Sequence, residues 1–236
     1  MGLFDIANAR LASLEARVAA LEGQTVEPPA PDFDPTDGTW LSVRDYGAKG
    51  DGVTDDRAAI QSCITAAASA SKGVYVPAGT YRINSSSGVG LTIPSNITLR
   101  GVGATSVLEL YDDGTDDRDV FLDMEAEDTI SLTDLLIRGT QTDKEASVQA
   151  VWASGASDVT FTRVTWDKCE YAIRTTTHSP WASNISLIDC TTLTGCLNPF
   201  YLSYVDGFYL DGGEFEANRV DCITGRWPHH FYVAGY

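Results

Sequence analysis

From Trp40 onward the chain alternates apolar and polar residues in short bursts, each opened by Asn, Asp, Thr or Gly and closed by a small or polar break. Four bursts share one pattern: Asn96-Ile97-Thr98-Leu99, Thr129-Ile130-Ser131-Leu132, Asp158-Val159-Thr160-Phe161 and Asn184-Ile185-Ser186-Leu187. Gly207-Phe208-Tyr209-Leu210 is a weaker fifth copy. Alternation at period two buries one face of a strand. The matched apolar positions 97, 130, 159, 185 and 208 recur at intervals that shrink from about 33 to about 23 residues, the range of stacked repeats. One burst is too short to bury its own apolar face, so neighbours must stack on it. The pattern predicts an all-β solenoid. The rival, an antiparallel sandwich with long loops, leaves the recurring break residues unexplained.

Two stretches carry a helical period instead. In residues 1–22, Phe4, Leu11 and Val18 fall at heptad position a and Ala7, Leu14 and Leu21 at d. Arg10 and Arg17 then stand at g and Glu15 and Glu22 at e, the spacing of ion pairs between parallel helices. So short a helix is marginal alone in water, which predicts a coiled coil stabilised by what it joins; the alternative is an amphipathic helix folded back on its own domain. The seam leaves dimer and trimer open. Residues 23–39 hold prolines at 28, 29, 31 and 35 and read as an extended linker. The second helical stretch follows Asp56, where Ile60, Cys63, Ile64 and Ala67 form one apolar stripe at i, i+3, i+4 and i+7.

That second helix sits inside a longer ordered motif. Residues 42–56 read Ser-Val-Arg-Asp-Tyr-Gly-Ala-Lys-Gly-Asp-Gly-Val-Thr-Asp-Asp, and after the helix comes Gly73-Val-Tyr-Val-Pro-Ala-Gly-Thr-Tyr-Arg-Ile83. This resembles the opening of the pectate-lyase-like right-handed parallel β-helix superfamily, found in glycan-acting enzymes and bacteriophage tailspikes. The resemblance implies a β-helix over residues 40–236 whose N-terminal helix shields the first coil. From the residues themselves, Gly47, Gly50 and Gly52 permit turns that a Cβ would obstruct. Thr54 or Asp55 is placed to cap the helix, and Asp56 to favour its dipole. Asp51, Asp55 and Asp56 therefore read as turn and cap residues rather than metal ligands, and Val74-Tyr75-Val76 as the first strand.

Charge narrows the partners. Acidic residues number 33 against 16 basic, a net charge of −17, which disfavours nucleic acid and anionic membranes. No run approaches the roughly 18 apolar residues of a membrane span, and MGLFDIANAR lacks the features of a signal peptide. The five cysteines, at 63, 169, 190, 196 and 222, are odd in number and contain no CxxC pair, so buried free thiols are expected rather than disulfides or zinc.

Candidate chemistry is sparse. Glu214 and Glu216 flank Phe215 and, on a strand, point to one side about 6.6 Å apart at the backbone, a spacing compatible with an inverting glycoside hydrolase. An acidic stretch from Asp112 to Asp128 reads as a solvated insertion; calcium is the one ion it suits, although it lacks the Gly and terminal Glu of an EF-hand loop. Trp227 and Tyr232, in a cluster with His229, His230 and Phe231, are candidates for stacking on sugars or for plain packing. No metal site and no cofactor is expected. The stretch ending at Tyr236 carries no evident cap, which implies a covering partner or a longer chain.

Heptad helix, Pro-rich strut and β-helix together lead to one expectation. The chain is a virion appendage of the tail spike or tail fibre kind, assembled in the host cytoplasm, homotrimeric, joined to other particle proteins through residues 1–39 and facing a host-surface polysaccharide. The alternatives are a polysaccharide lyase or glycoside hydrolase, free or as a depolymerase spike, and a purely structural decoration protein.

Overall fold

The computed structural model describes residues 34–84, 88–111, 120–139, 148–176, 180–192, 196 and 200–215, with backbone alone at 223–224 and 231–234. The chain divides into two units, Met1–Asp34 and Pro35–Tyr236; the heptad helix and most of the Pro-rich linker lie outside the described residues. At the linker's end the Asp37 carboxylate accepts the Thr39 amide at 2.7 Å, so residues 34–39 turn rather than extend.

Beyond the linker the strands follow one another into three sheets in rotation, of eight, seven and six strands. Every strand pairs in parallel with its counterpart one coil away, which excludes the sandwich. The repeated bursts all fall in the first sheet: Leu99, Leu132, Phe161, Leu187 and Leu210 stack in register, extended below by Val74 and Leu41 and above by Val233. On the second sheet Tyr81, Leu108, Ile137 and Trp166 form the matching inner column, and on the third Leu91, Leu122, Val151, Ile173 and Phe200. All of these from Val74 to Leu210 are buried. Each such side chain contributes roughly 1.5–3 kcal/mol when fully buried, so the ladders carry the fold. Phe200 packs edge-on against Phe208 and Phe215 at 5.5 and 5.2 Å, joining rings from all three sheets.

The burst-opening residues have a conformational reason. Asn96, Thr129, Asp158, Asn184 and Gly207 all adopt positive φ, between 52° and 85°, at the corner leading into the first sheet. Asn and Asp tolerate the left-handed region because their short polar side chains bond locally, and glycine has no Cβ to obstruct it. Asn184 indeed donates its amide to the Asp158 carboxylate one coil below, at 2.9 Å.

The helix, α1, spans Arg57–Ala70 and buries Ile60, Cys63, Ile64 and Ala67, the expected stripe. It stands where a third-sheet strand would stand in the first, incomplete coil, against the edge strand Val89–Thr92. Arg57 Nε donates to the Gly90 carbonyl at 2.8 Å. The Gln61 carboxamide donates to the Thr92 carbonyl at 3.0 Å and accepts its N–H at 2.9 Å. Side chains of the helix thus supply the backbone partners that a missing strand would have given, which closes that edge to pairing with another chain.

Several local expectations change. The sheet begins at Trp40–Ser42, ahead of the strand Gly73–Tyr75, whose glycine leaves room for the Trp40 ring. Thr54 does not cap α1: it lies in the strand Asp51–Asp55 and donates its hydroxyl to Asp51 at 2.8 Å. Asp55 accepts the Arg57 amide at 3.1 Å. Asp56 occupies the N-cap position without bonding the helix amides; its buried carboxylate accepts the amides of Lys49 and Gly50 at 2.7 and 2.9 Å and pins the preceding turn. Gly47, Gly50 and Gly52 take φ of 101°, 63° and 74°, as the turn requires. The acidic stretch is not one loop: residues 120–123 form a third-sheet strand and Asp128 opens a first-sheet strand, while 112–119 lie outside the described residues. Cys63, Cys169, Cys190 and Cys196 are buried free thiols.

Candidate functional site

Three parallel sheets present three outer faces, and charge distinguishes them. On the second sheet Asp55, Arg82, Glu109, Arg138 and Asp167 stack in register, one per coil, with alternating sign. Arg138 pairs with Asp167 at 3.0 Å and approaches Glu109 at 3.8 Å, and the Arg82 guanidinium lies 3.5 Å over the Tyr111 ring. At the corner between the first and second sheets, Asp134 accepts two bonds from Arg163, at 2.6 and 2.9 Å, and pairs with Arg100. That contact raises the Arg163 pKa. Arg100, Arg138 and Arg163 on these surfaces are paired with carboxylates one coil away, while Arg82 donates to the Asn84 carboxamide at 3.1 Å.

The third sheet differs. Its outer column runs Thr92, Asp123, Trp152, Arg174, Tyr201 in register. The Arg174 guanidinium lies among three rings, with its central carbon 5.5 Å from the centroid of Trp152, 5.2 Å from Tyr171 and 5.4 Å from Tyr201. Tyr171 meets Tyr201 edge-on at 5.6 Å. Among the described residues Arg174 forms no ion pair, and its buried Nε has no hydrogen-bond partner. Gln149, in register with Tyr171, is buried and its Oε1 also lacks a partner among the described residues. A buried donor and a buried acceptor left unsatisfied on neighbouring strands are each costly unless something external completes them.

Burial, and then the nearby negative charge of the Glu170 carboxylate, pushes the Tyr171 phenol above its ordinary pKa. Tyr171 is therefore a protonated donor at neutral pH. Aromatic faces suit the C–H faces of sugar rings, and a partly desolvated guanidinium suits a carboxylate or sulfate by two parallel bonds. The cluster has the composition of a site for a glycan bearing negative charge.

The sequence candidates fall elsewhere. Glu214 is exposed on the second sheet, in register with Thr191, while Glu216 and Trp227 lie outside the described residues. Tyr232 belongs to the last described strand of the first sheet, opposite Tyr209. Among the described residues no three acidic, His or Cys side chains gather as metal ligands. Sequence reading missed Trp152, Tyr171, Arg174 and Tyr201 because they belong to three strands separated by unequal intervals.

Known proteins resemble the chain in sequence and fold. Residues 40–113 match the family model described as rhamnogalacturonase A/epimerase, pectate lyase-like. Alginate lyase 7 of Azotobacter vinelandii is 37% identical over 119 residues, covering 47% of this chain and 14% of the relative. The A-module of mannuronan C-5 epimerase AlgE6 from the same organism superimposes with a TM-score of 0.66 at 27% identity, over 75% of this chain and 50% of the module. The chain thus spans half or less of these relatives, which act on polysaccharides. Geobacillus virus E2 ORF18 shares the fold alone, at 16% identity and a TM-score of 0.52 over 85% of this chain and 44% of that one. With its three parallel sheets, the domain that begins at Trp40 is a parallel β-helix, and its residues 40–113 are similar to the pectate-lyase-like family.

Proposed function

We propose that this chain recognises an anionic polysaccharide on a host surface through the outer face of its third sheet, as part of a virion appendage. The observation that carries the recognition is Arg174, held among three aromatic rings with a buried Nε that no described residue satisfies. A ligand carboxylate or sulfate would complete it, and Trp152 and Tyr201 would hold the sugar on either side. The polysaccharide-acting relatives support the ligand class. The virion setting draws on the heptad helix and Pro-rich strut ahead of the β-helix, with the viral protein as a fold-level precedent. In this reading residues 1–39 attach to the particle and join three copies.

The test is titration calorimetry with uronate-bearing, sulfated and neutral oligosaccharides. Acidic oligosaccharides are expected to bind and neutral ones not. Arg174→Ala should weaken binding at least about tenfold, the value of a charge-assisted hydrogen bond of roughly 1.5–3 kcal/mol. Equal affinity of wild type and Arg174→Ala, or no preference for acidic sugars, would overturn the proposal.

A second reading, cleavage as well as binding, is favoured by the protonated Tyr171 phenol beside Arg174 and next in sequence to Glu170. A phenol near a carboxylate can relay a proton, and a guanidinium can neutralise the uronate whose α-proton a lyase removes. An unsaturated product chromophore that disappears in Tyr171→Phe would establish it. Glu214→Gln and Glu216→Gln test the hydrolase alternative by release of new reducing ends, since hydrolysis leaves a saturated product.

A further inference from the structure

Two of the buried thiols belong together. Cys169 lies between the strands Thr165–Asp167 and Tyr171–Thr175, and Cys196 one coil later, between Thr191–Thr192 and Phe200–Leu202. Ile173 pairs with Phe200, and each cysteine lies four residues before its member of that pair, so the two occupy equivalent places at one corner of consecutive coils. Both are buried, 1% and 0% exposed, and each perturbs the titration of the other. Neighbouring strands in such a stack lie about 4.7–4.9 Å apart, inside the 4.4–6.8 Å that Cα atoms joined by a disulfide usually span. The other described cysteines have different surroundings: Cys63 points to the Leu41 carbonyl and Cys190 to those of Phe161 and Ile188.

We propose that Cys169 and Cys196 are an oxidisable pair, which a small-molecule disulfide converts into a covalent clasp between consecutive coils. The Cys196 thiolate attacks one sulfur of the oxidant, giving a mixed disulfide and releasing one thiol. The Cys169 thiolate then attacks the Cys196 sulfur, forming the Cys169–Cys196 bond and releasing the second thiol. Two protons leave the protein's thiols and end on the two released thiols, while the oxidant takes up the two electrons. The neighbouring Cys169 lowers the Cys196 pKa against the opposing effect of burial. Cys169 is held high by Cys196 and by burial, and becomes nucleophilic once Cys196 is consumed. Access to the oxidant comes through local opening of the corner, the ordinary route to a buried group.

The bond would close one coil of the solenoid on itself. A cross-link of this loop length restricts the unfolded chain far more than a native state in which the two residues already lie side by side. The clasp would be open in a reducing cell interior and closed outside it. It is independent of the glycan proposal.

Incubation of the whole chain with oxidised glutathione, acid quenching, alkylation of remaining thiols and non-reducing peptide mass mapping test the proposal. The expected product is a peptide pair joining Cys169 to Cys196, two hydrogens lighter than the separate peptides, with Cys63 and Cys190 alkylated. The oxidised protein should melt at a higher temperature, and dithiothreitol should reverse the shift. Cys196→Ala and Cys169→Ala, each verified as folded by circular dichroism, should abolish the shift. Four alkylated thiols at 63, 169, 190 and 196, a bond to Cys222 instead, or an unchanged melting temperature in the clasped protein would each overturn it.

Discussion

Asp51 illustrates how one exposed side chain organises a turn. Its carboxylate accepts the amides of Val53 and Thr54 at 2.9 and 2.7 Å and the Thr54 hydroxyl at 2.8 Å. The Thr54 amide, then that of Val53, holds its pKa down to about 2 from 3.8. A carboxylate depressed in the folded state adds stability above its unfolded pKa and loses it as pH falls through the folded one. The contribution of Asp51 is therefore complete above about pH 4 and gone near pH 2. Asp51→Asn should lower the melting temperature slightly at pH 7, with the difference from wild type vanishing near pH 2; a constant difference across that window would show that the charge is not responsible. Gly213 shows the opposite case, in which a residue matters for what it lacks. Its φ is 90°, and a Cβ there would run into the Cys190 carbonyl of the coil below.

At the scale of elements, α1 is the piece on which the rest of the stack is built. Ile64 is fully buried on the stripe that faces the first coil, and the helix also holds the edge strand through Arg57 and Gln61. Ile64→Ala should cost about 2–5 kcal/mol, read as a shift of the denaturation midpoint at unchanged slope. A change in slope instead would mean that the first coil unfolds separately, which a solenoid of near-neighbour contacts permits. The helix was legible beforehand because its apolar spacing is local. Its side-chain pairing with the edge strand was not, since Gln61 and Thr92 are remote in sequence and either residue alone reads as a polar side chain facing water. The assignment of Thr54 as cap failed for a related reason: Asp51, three residues earlier, competes for its hydroxyl.

For the whole molecule, the open question is assembly. The heptad seam of residues 1–22 predicts that the full chain associates and that a chain starting at Trp40 does so less. Light scattering on both should give a trimer for the full chain and a smaller mass for the truncated one. A monomer in both cases would remove the coiled coil and transfer the appendage reading to a free glycan-active protein. The charge of −17 bears on the same question, because copies that repel one another need a dedicated apolar seam to associate.

The sequence by itself determined the stacked solenoid, the burst positions and the helix stripe. Each follows from short-range rules: period-two alternation, recurring Asn or Asp starts and small or polar breaks, and apolar residues on one side of a helix. The tertiary structure alone decided which residues from different coils stand side by side. Coils of unequal length give Trp152, Arg174 and Tyr201 no fixed spacing, and likewise Cys169 and Cys196. Only the register imposed by backbone hydrogen bonds and stacked apolar ladders brings them together, because that register is set by contacts between coils and not by any one stretch of chain.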